Sequence, residues 1–295
     1  MLPQHLYQHI LEILSLKLGQ NVASFLAQPV SGGSINQTYR IQIPDGPFFF
    51  CKINRFDTFP HLFLKEQRGL QLIGQTGTVA VPKSIAYTVT ENYQVLLLQW
   101  IESGPKGESF FKHFGMQLAA LHQHTQAQFG LQEDNYMGSL PQQNTPCKDW
   151  CTFFIEQRLQ PLIDRCIQNE LLTHADVLSF EKLYQKLPQI FSENQPPALL
   201  HGDLWSGNYL CNSSGQPVLI DPAVYYGHPA VDLGMTRQFG GFENAFYESY
   251  NYHHLQPDNS AEQQQVCNLY PLLVHLLLFG SSYLGSIQQT LKAFA

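Results

Sequence analysis

The sequence has 295 residues, of which 44% are hydrophobic and 13% are charged, and its formal net charge is −7 at pH 7. This length suits about two domains of ordinary size, and the apolar content is ample for packed cores. The negative charge argues against a basic surface for polyanions, so we expect no nucleic-acid partner.

The first 19 residues predict an amphipathic helix and no targeting segment. Apolar side chains recur at helical spacing over residues 6–18, and Gly19 stands where a helix C-cap is expected. The stretch lacks a basic leading region and carries Glu12 and Lys17 within its apolar pattern, so it is not expected to be a signal peptide.

A hairpin is predicted over residues 28–43, where β-branched and aromatic residues flank the sequence SGGSIN. Its tip contains Gly32, Gly33 and Ser34, and glycines at such a tip let backbone amides approach phosphate groups. The motif is neither the full G-x-G-x-x-G of protein kinases nor a Walker A loop. A plain turn and a nucleotide-binding loop therefore both remain open.

The next strand, PFFFCKI at residues 47–53, contains Lys52 among apolar neighbours, and such a lysine needs a partner or a ligand. Glu66 follows 14 residues later in a helix predicted over residues 59–73. In kinases, a strand lysine binds the α and β phosphates and is held by a helix glutamate. The alternative is that Lys52 extends to solvent at the strand edge and Glu66 is a solvated charge.

A domain boundary is predicted after the apolar strand QVLLLQWI at residues 94–101, because a Gly/Pro-rich segment follows it. We expect an N-terminal nucleotide-binding lobe over residues 1–101 and a C-terminal catalytic and substrate-binding lobe over residues 102–295. In a two-lobed kinase this exit is the hinge. Backbone groups of about Gln99, Trp100 and Ile101 would then bind an adenine.

Beyond the boundary the pattern is mostly helical. Helices are predicted over residues 110–123, 149–169, 171–187, 242–252 and 270–285. The last of these is the most apolar run of the chain, but about 16 residues are too few to cross a membrane, so we expect a buried helix.

Histidines and cysteines do not predict a zinc site. His122 and His124 are two residues apart, so on a helix they point in nearly opposite directions. The six cysteines include no Cys-x-x-Cys pair, and we expect them to be reduced thiols of a cytoplasmic protein.

Most of the identifiable chemistry lies in residues 199–223, LLHGDLWSGNYLCNSSGQPVLIDPA. Asn208 follows Asp203 by five residues, and Asp221 ends the second of two strand-like runs that turn residues separate. This spacing is typical of the kinase loop H-x-D-x-x-x-x-N with a later metal-binding aspartate. Asp203 would accept or orient the proton of an attacking hydroxyl, while Asn208 and Asp221 would hold Mg²⁺ on the phosphates of ATP.

This stretch has two other interpretations. Each fragment alone could be an ordinary turn or strand end, but the combined spacing of the fragments favours a catalytic site. A metal-dependent phosphoesterase would need an upstream Asp-x-His and a later Asn-His, and the sequence contains neither.

With these motifs assembled, the chain resembles the fructosamine kinase, or ketosamine-3-kinase, family of the aminoglycoside-phosphotransferase-like, protein-kinase-like superfamily. The matching segments are GGSIN, CKIN, LLLQWI, WCTFFIEQRL, HGDLWSGN and IDPAVYYGHPAVDLGM, which are spread over nearly the whole chain. The resemblance implies an α+β bilobal protein-kinase-like fold, with a small antiparallel-sheet N-lobe and a larger, mostly helical C-lobe. It also implies phosphorylation, with ATP and Mg²⁺, of the C3 hydroxyl of ketosamines such as ribulosamine or fructosamine adducts, linked to deglycation.

The resemblance implies the same roles for the residues named above, and it assigns roles to four more residues. Asp232 resembles the aspartate that anchors the catalytic loop, and Trp205, Phe154 and Arg158 would line the sugar pocket. Ser34 stands where some relatives have a cysteine, so redox control through a disulfide at that loop is in doubt here.

Two alternative functions remain open from the sequence. The first is a kinase of another hydroxylated amine, of the choline, aminoglycoside or homoserine type. The second is a non-catalytic nucleotide-binding regulator. The sequence defines no oligomeric state.

Overall fold

A five-stranded antiparallel sheet lies in the first of two units of the computed structural model, which describes residues 2–30, 35–191 and 195–294. The first unit comprises Met1–Pro105 and Leu210–Ile220, and the second comprises Lys106–Tyr209 and Asp221–Ala295. The boundary thus falls four residues after the expected one, and a segment from the second half of the sequence joins the first unit.

The described residues among the first 105 form two helices and five strands. They are α1 (Gln4–Leu18), β1 (Leu26–Pro29), β2 (Gln37–Gln42), β3 (Phe48–Arg55), α2 (Leu62–Gln75), β4 (Ser84–Thr90) and β5 (Tyr93–Gln99). The strand order is β1-β2-β3-β5-β4, and every neighbouring pair is antiparallel. Lys52 lies in the central strand β3, where it pairs with Thr38 and Leu96.

The helix α1 packs one apolar stripe against the core of this unit. The stripe consists of Leu6, Ile10 and Leu14. Gly19 ends the helix with a φ of 64°, so the predicted C-cap is confirmed. The hairpin tip with Gly32, Gly33 and Ser34 lies outside the described residues.

The chain beyond residue 105 is mostly helical, as predicted. Its elements are α3 (Phe110–His122), β6 (Asn135–Met137), β7 (Leu140–Gln142), α4 (Trp150–Phe153), a π-helical turn (Phe154–Leu159), α5 (Gln160–Gln168), α6 (His174–Ile190), β8 (Ala198–Leu200), β9 (Tyr209–Cys211), β10 (Pro217–Leu219), β11 (Tyr225–Gly227), α7 (Ala230–Phe239), α8 (Asn244–His253), α9 (Ser260–Cys267), α10 (Leu269–Phe279), a 3₁₀ turn (Ser281–Tyr283) and α11 (Leu284–Phe294). The α+β class predicted from the sequence is confirmed, since the sheet and most helices occupy different units.

The β9–β10 hairpin accounts for the segment that joins the first unit. Gly104 N donates to Cys211 O at 2.9 Å, and Leu219 N donates to Ala80 O at 2.9 Å. A Cβ at Gly104 would lie 2.6 Å from the carbonyl oxygen of Asn212, so this close approach requires glycine.

The helix predicted over residues 149–169 forms, but its middle is a π-helical turn. Pro161 has no amide hydrogen, so the carbonyl of Gln157 cannot receive the usual bond from four residues ahead. The side chain of Arg158 supplies a donor instead, from Nη1 to Gln157 O at 3.0 Å. This distortion turns Arg158 into the core, where it is fully buried.

The apolar run expected as one helix over residues 270–285 is divided. Helix α10 ends at Phe279, because Gly280 adopts a φ of 88°, and α11 begins at Leu284. Among the residues that the structure describes, no helix is long and apolar enough to cross a membrane.

Candidate active site

The loop that follows β8 carries the HGD sequence, and its backbone requires a glycine. Gly202 has a φ of 83°, and a Cβ there would lie 2.1 Å from the carbonyl oxygen of Ala223. The amide of Ala223 in turn donates to His201 O at 2.9 Å. The loop with the HGD sequence and the segment after Asp221 are therefore in direct backbone contact.

Asp232 anchors this loop from α7. Its Oδ2 accepts from His201 N at 2.8 Å and its Oδ1 accepts from Gly202 N at 2.9 Å. The side chain is fully buried, and its carboxylate satisfies two buried backbone donors at once. The predicted anchoring role of Asp232 is confirmed.

His122 completes the support beneath the loop. Its Nε2 lies 3.2 Å from Oδ2 of Asp232, and its Nδ1 lies 2.7 Å from the hydroxyl of Tyr250. Burial opposes ionisation of Asp232, but the hydrogen bond and charge of His122 and the bond from Gly202 outweigh it, so its pKa is lowered. Both ring nitrogens of His122 are thus engaged with protein groups that support the loop.

Asp203 and Asn208 are joined within the loop. Asn208 Nδ2 donates to the backbone oxygen of Asp203 at 2.8 Å and to its Oδ2 at 2.9 Å. Asn208 N also donates to Trp205 O at 3.0 Å, which closes the intervening turn. These bonds commit the amide hydrogens of Asn208 and leave its Oδ1 as the atom that can bind a cation.

The carboxyl of Asp203 has an unusual pKa for an aspartate. Burial raises the pKa to about 7, the bond from Asn208 opposes the rise, and the charges of Asp221 and Asp232 add to it. A carboxyl that titrates near neutral pH is well suited to accept a proton from a hydroxyl, since general bases work best with a pKa near the working pH.

Asp221 stands directly after the β9–β10 hairpin, with a φ of 53°. Left-handed backbone is uncommon outside glycine and is often kept where a functional side chain must be aimed. Its carboxylate and the amide oxygen of Asn208 are hard oxygen donors of the kind that Mg²⁺ prefers beside waters and phosphates. The donor set therefore fits the metal that the sequence predicts. No cluster of three His, Cys, Asp or Glu side chains that could hold a metal occurs within the described residues.

Trp205 is the exposed aromatic side chain of the loop. It retains 40% of its surface, and a Cβ at Gly207 would lie 2.4 Å from its ring. The ring thus lies over a position where only glycine leaves room. Its exposed part is available to a ligand.

Phe154 and Arg158 are fully buried in the core of the second unit, which corrects the prediction that they line the sugar pocket. The guanidinium of Arg158 lies 3.9 Å from the ring centre of Tyr225 and 4.6 Å from that of Phe153. Side chains without exposed surface cannot contact a ligand in this conformation. A motif-based assignment could not show this, because the π-helical turn decides the direction of Arg158.

In the first unit, Lys52 Nζ lies 2.8 Å from Glu66 Oε1. The two side chains are 3% and 11% exposed, so the solvated alternative for this pair is wrong. The strand β3 and the helix α2 hold a buried lysine–carboxylate pair of the kind that kinases use.

The expected hinge residues follow β5. Gln99 ends the strand, with its amide donating to Lys83 O at 2.8 Å, and Trp100 Nε1 donates to Glu102 Oε2 at 2.9 Å. Trp100 and Ile101 lie in irregular structure. Their contact with adenine stays a prediction.

The sequence matches the model of the family described as fructosamine kinase over residues 6–295. The chain belongs to the fructosamine kinase family. The lysine–glutamate pair of the first unit and the aspartate–asparagine loop of the second are thus features of a fructosamine kinase family member.

Other members are similar over nearly their full length. A protein of Synechocystis sp. named a probable ketoamine kinase is 38% identical over 292 residues, which cover 97% of this chain and 96% of the relative. A probable ketoamine kinase of Lactiplantibacillus plantarum is 37% identical over 272 residues, covering 90% and 93%. The crystal structure of a candidate fructosamine-3-kinase from Thermobifida fusca has 31% identity and a TM-score of 0.86, with 96% and 97% of the two chains covered.

The sequence did not indicate several residues that support the candidate active site. Tyr209 follows Asn208 and donates its hydroxyl to Gly241 O at 2.8 Å, while Lys106 Nζ donates to that hydroxyl at 2.8 Å. Asn135 and Gln142 contact the backbone after Asp221. No local pattern indicated them, because each acts through a partner distant in the sequence.

Proposed function

We propose that this protein transfers the γ-phosphoryl group of ATP to a sugar hydroxyl, at C3, of a ketosamine. The family and the names of the similar proteins support this substrate class. The observation that carries the proposal is the joined pair of Asp203 and Asn208, in the loop whose backbone Asp232 holds by two hydrogen bonds.

In the proposed reaction, Asp203 accepts the proton of the attacking hydroxyl. The hydroxyl oxygen forms the new bond to the γ phosphorus, the bond from that phosphorus to the β–γ bridging oxygen breaks, and ADP leaves. Asp232 and His122 keep the loop backbone in place during this step. Positioning and charge stabilisation carry most of the rate in phosphoryl transfer.

Asn208 Oδ1 and the Asp221 carboxylate would hold Mg²⁺, which neutralises phosphate charge when it is bound. Lys52 would bind the α and β phosphates, and the ion pair with Glu66 would keep its amine in position. Gly32, Gly33 and Ser34, together with the backbone of Gln99 to Ile101, complete the proposed nucleotide site.

The acceptor would contact Trp205, whose exposed ring can cover the apolar face of a sugar. Ribulosamine and fructosamine adducts, free or attached to protein, are the proposed acceptors, and phosphorylation at C3 would lead to deglycation. A cytoplasmic location is proposed because ATP is available there. It agrees with the thiols of Cys51 and Cys267, whose pKa is raised by burial and which are poor nucleophiles for disulfide exchange.

The test is an ATP-consumption screen with ribulosamines, fructosamines, choline, an aminoglycoside, homoserine and free sugars. We expect turnover with a ketosamine, and phosphorus and proton NMR of the product should place the phosphate on C3. Faster turnover with an amino alcohol or an aminoglycoside would identify another kinase of this fold. Tight ATP binding without transfer to any acceptor would favour the regulator.

A further inference from the structure

Five buried polar side chains of the second unit share one set of hydrogen bonds away from the loop of Asp203. We call them the buried amide network, and they are Asn135, Gln142, Asn144, Arg158 and Tyr270. Burying polar groups in this number is costly unless each is bonded. The network therefore needs an explanation beyond packing.

Arg158 sets the direction of the network. Its Nη2 donates to Asn144 Oδ1 at 2.7 Å, and Asn144 Nδ2 donates to Asn135 Oδ1 at 2.9 Å. Arginine has five donors and no acceptor, so Asn144 must present its oxygen to Arg158, and its amide nitrogen donates to Asn135 Oδ1 and to Glu133 O. The orientation of Asn135 follows from this.

Gln142 receives its orientation from the same source. Its Nε2 donates to Asn135 Oδ1 at 2.7 Å, an atom already defined as an acceptor. Its Oε1 accepts from the Tyr270 hydroxyl at 2.7 Å, which leaves the second amide hydrogen of Gln142 to donate elsewhere. Each amide of the network thus has one allowed orientation.

The network ends on the backbone that follows Asp221. Asn135 Nδ2 donates to Val224 O at 2.8 Å, and Gln142 Nε2 donates to Ala223 O at 3.1 Å. On its other side the same segment is bonded to the catalytic loop through Ala223 N and His201 O. The left-handed backbone of Asp221 is a strained conformation, and such a conformation is kept only where contacts of the neighbouring residues hold it in place.

We propose that the buried amide network positions Asp221, and that the charge of Arg158 gives it a single arrangement. The proposal rests on the proposed function, in which Asp221 holds Mg²⁺. The rings of Tyr225 and Tyr270, 3.9 and 5.3 Å from the guanidinium, stabilise the buried charge. Arg158 is thus a positioning residue that acts on the metal ligand from the core.

Three variants and one control test this. Arg158→Met removes the charge and the donors at Nη1 and Nη2, whereas Arg158→Lys keeps a charged donor for Asn144. Tyr270→Phe removes one hydroxyl at nearly constant shape, so it should fold even where Arg158→Met does not. Thr173→Ala is the matched control, because it breaks the capping box of α6 and lowers stability outside the network.

Two measurements read the position of Asp221. The first is amide hydrogen exchange of residues 221–226 in the metal-free protein, and the second is calorimetric binding of ATP with and without Mg²⁺. Arg158→Met and Tyr270→Phe should exchange faster in this segment and bind Mg²⁺-ATP more weakly. We expect a loss of about ten-fold, as for other residues that orient a metal ligand. Arg158→Lys should recover part of it, and Thr173→Ala should match the parent.

The proposal is overturned if the folded network variants show parental exchange in residues 221–226 and parental Mg²⁺-ATP binding, which would make the network purely structural. Failure of the proposed function looks different. In that case Asp221→Asn would bind Mg²⁺-ATP like the parent, whatever the network variants do.

Discussion

Asn208 donates Nδ2 to both the backbone oxygen and the carboxylate of Asp203, at 2.8 and 2.9 Å. The proposed metal ligand and the proposed base are thereby tied together, yet each keeps a different atom for its own task. Asn208 retains Oδ1 for a cation, and Asp203 retains Oδ1 for the proton of a hydroxyl. Separate substitutions should therefore separate their roles.

The backbone contact beneath this pair should be sensitive to one methyl group. In Gly202→Ala, the added Cβ would meet the carbonyl of Ala223 at 2.1 Å while φ stays at 83°. Strain of this kind costs on the order of 1–3 kcal/mol, and the clash adds to it. We expect a clear drop in the midpoint of thermal unfolding, measured by circular dichroism, together with loss of activity.

Gly215→Ala is the matched control for that substitution. Gly215 also has a positive φ, 75°, but no atom lies within 4 Å of its ideal Cβ position. Gly215→Ala should therefore lose only about 1 kcal/mol of stability, from the strained backbone conformation. Equal losses in the two variants would show that the contact with Ala223 has no energetic weight.

Lys52→Met should impair productive ATP use and, given the structure, also lower stability. A lysine that served only a ligand would leave stability nearly unchanged when replaced, but the ion pair is buried, so the substitution removes a positive charge from beside the Glu66 carboxylate. Breaking such a pair costs about 3 kcal/mol when one partner keeps some exposure. Thermal unfolding and the KM for ATP should both change.

The double variant Lys52→Met with Glu66→Leu separates these two effects. Replacing both charges by apolar groups is commonly neutral for stability, so the unfolding midpoint should recover. The nucleotide defect should persist, since no amine remains for the phosphates. Recovery of ATP use together with stability would mean that Lys52 is only a structural strand residue.

The sequence predicted best what is local. Lysine in an apolar strand needs a partner, and that requirement, together with the kinase pattern of a strand lysine and a helix glutamate, indicated the Lys52–Glu66 pair. The anchor Asp232 was predicted through the family resemblance, and the structure confirms it by two backbone bonds. The membership of residues 210–220 in the first unit was missed, because it depends on bonds to Gly104 and Ala80, more than 100 residues away.

The role of Arg158 shows where motif reasoning fails. Its segment matches the family and was expected to line a pocket, but the missing amide hydrogen of Pro161 allows a π-helical turn there. The residues that bond to it, such as Asn144, lie in a segment without hydrophobic periodicity. Only the tertiary fold shows that these polar residues face the core.

Acid should destabilise the protein through His228. Burial, with smaller effects of the charges of His122 and His254, lowers its pKa from 6.5 to about 3. The unfolded chain takes up a proton below pH 6.5, but the folded protein does not until about pH 3, so this contribution to stability is lost as pH falls. The loss should be about 1.4 kcal/mol per pH unit over this window.

His228→Asn tests this assignment, because Asn Oδ1 can replace the Nδ1 that accepts from Ala230 N at 3.1 Å. The unfolding free energy, followed in urea between pH 6.5 and 4.5, should fall less steeply for the variant than for the parent. Parallel curves would place the acid sensitivity on other groups.

Asp203→Asn should abolish most turnover while leaving the nucleotide site intact. Asparagine keeps the shape and can still accept from Asn208, but its amide cannot take the proton of the acceptor. Losing a general base lowers turnover on the order of 10²-fold or more. Calorimetric binding of Mg²⁺-ATP should stay close to that of the parent.

Asp221→Asn should weaken Mg²⁺-dependent ATP binding as well as turnover, because it removes a charged ligand. The left-handed backbone at this position tolerates asparagine as well as aspartate, so the fold should persist. Part of the loss should be recovered at high Mg²⁺ or with Mn²⁺, which binds oxygen ligands more tightly.

The two variants must be compared in the same experiments, which are calorimetric ATP binding with and without Mg²⁺ and single-turnover transfer to a ribulosamine. Asp203→Asn should bind and fail to transfer, and Asp221→Asn should bind weakly and transfer in proportion to the metal supplied. Normal transfer by Asp221→Asn, combined with lost nucleotide binding in Asp203→Asn, would reverse the proposed roles. The bonds that tie Asn208 to Asp203 would then orient a metal ligand and not a base.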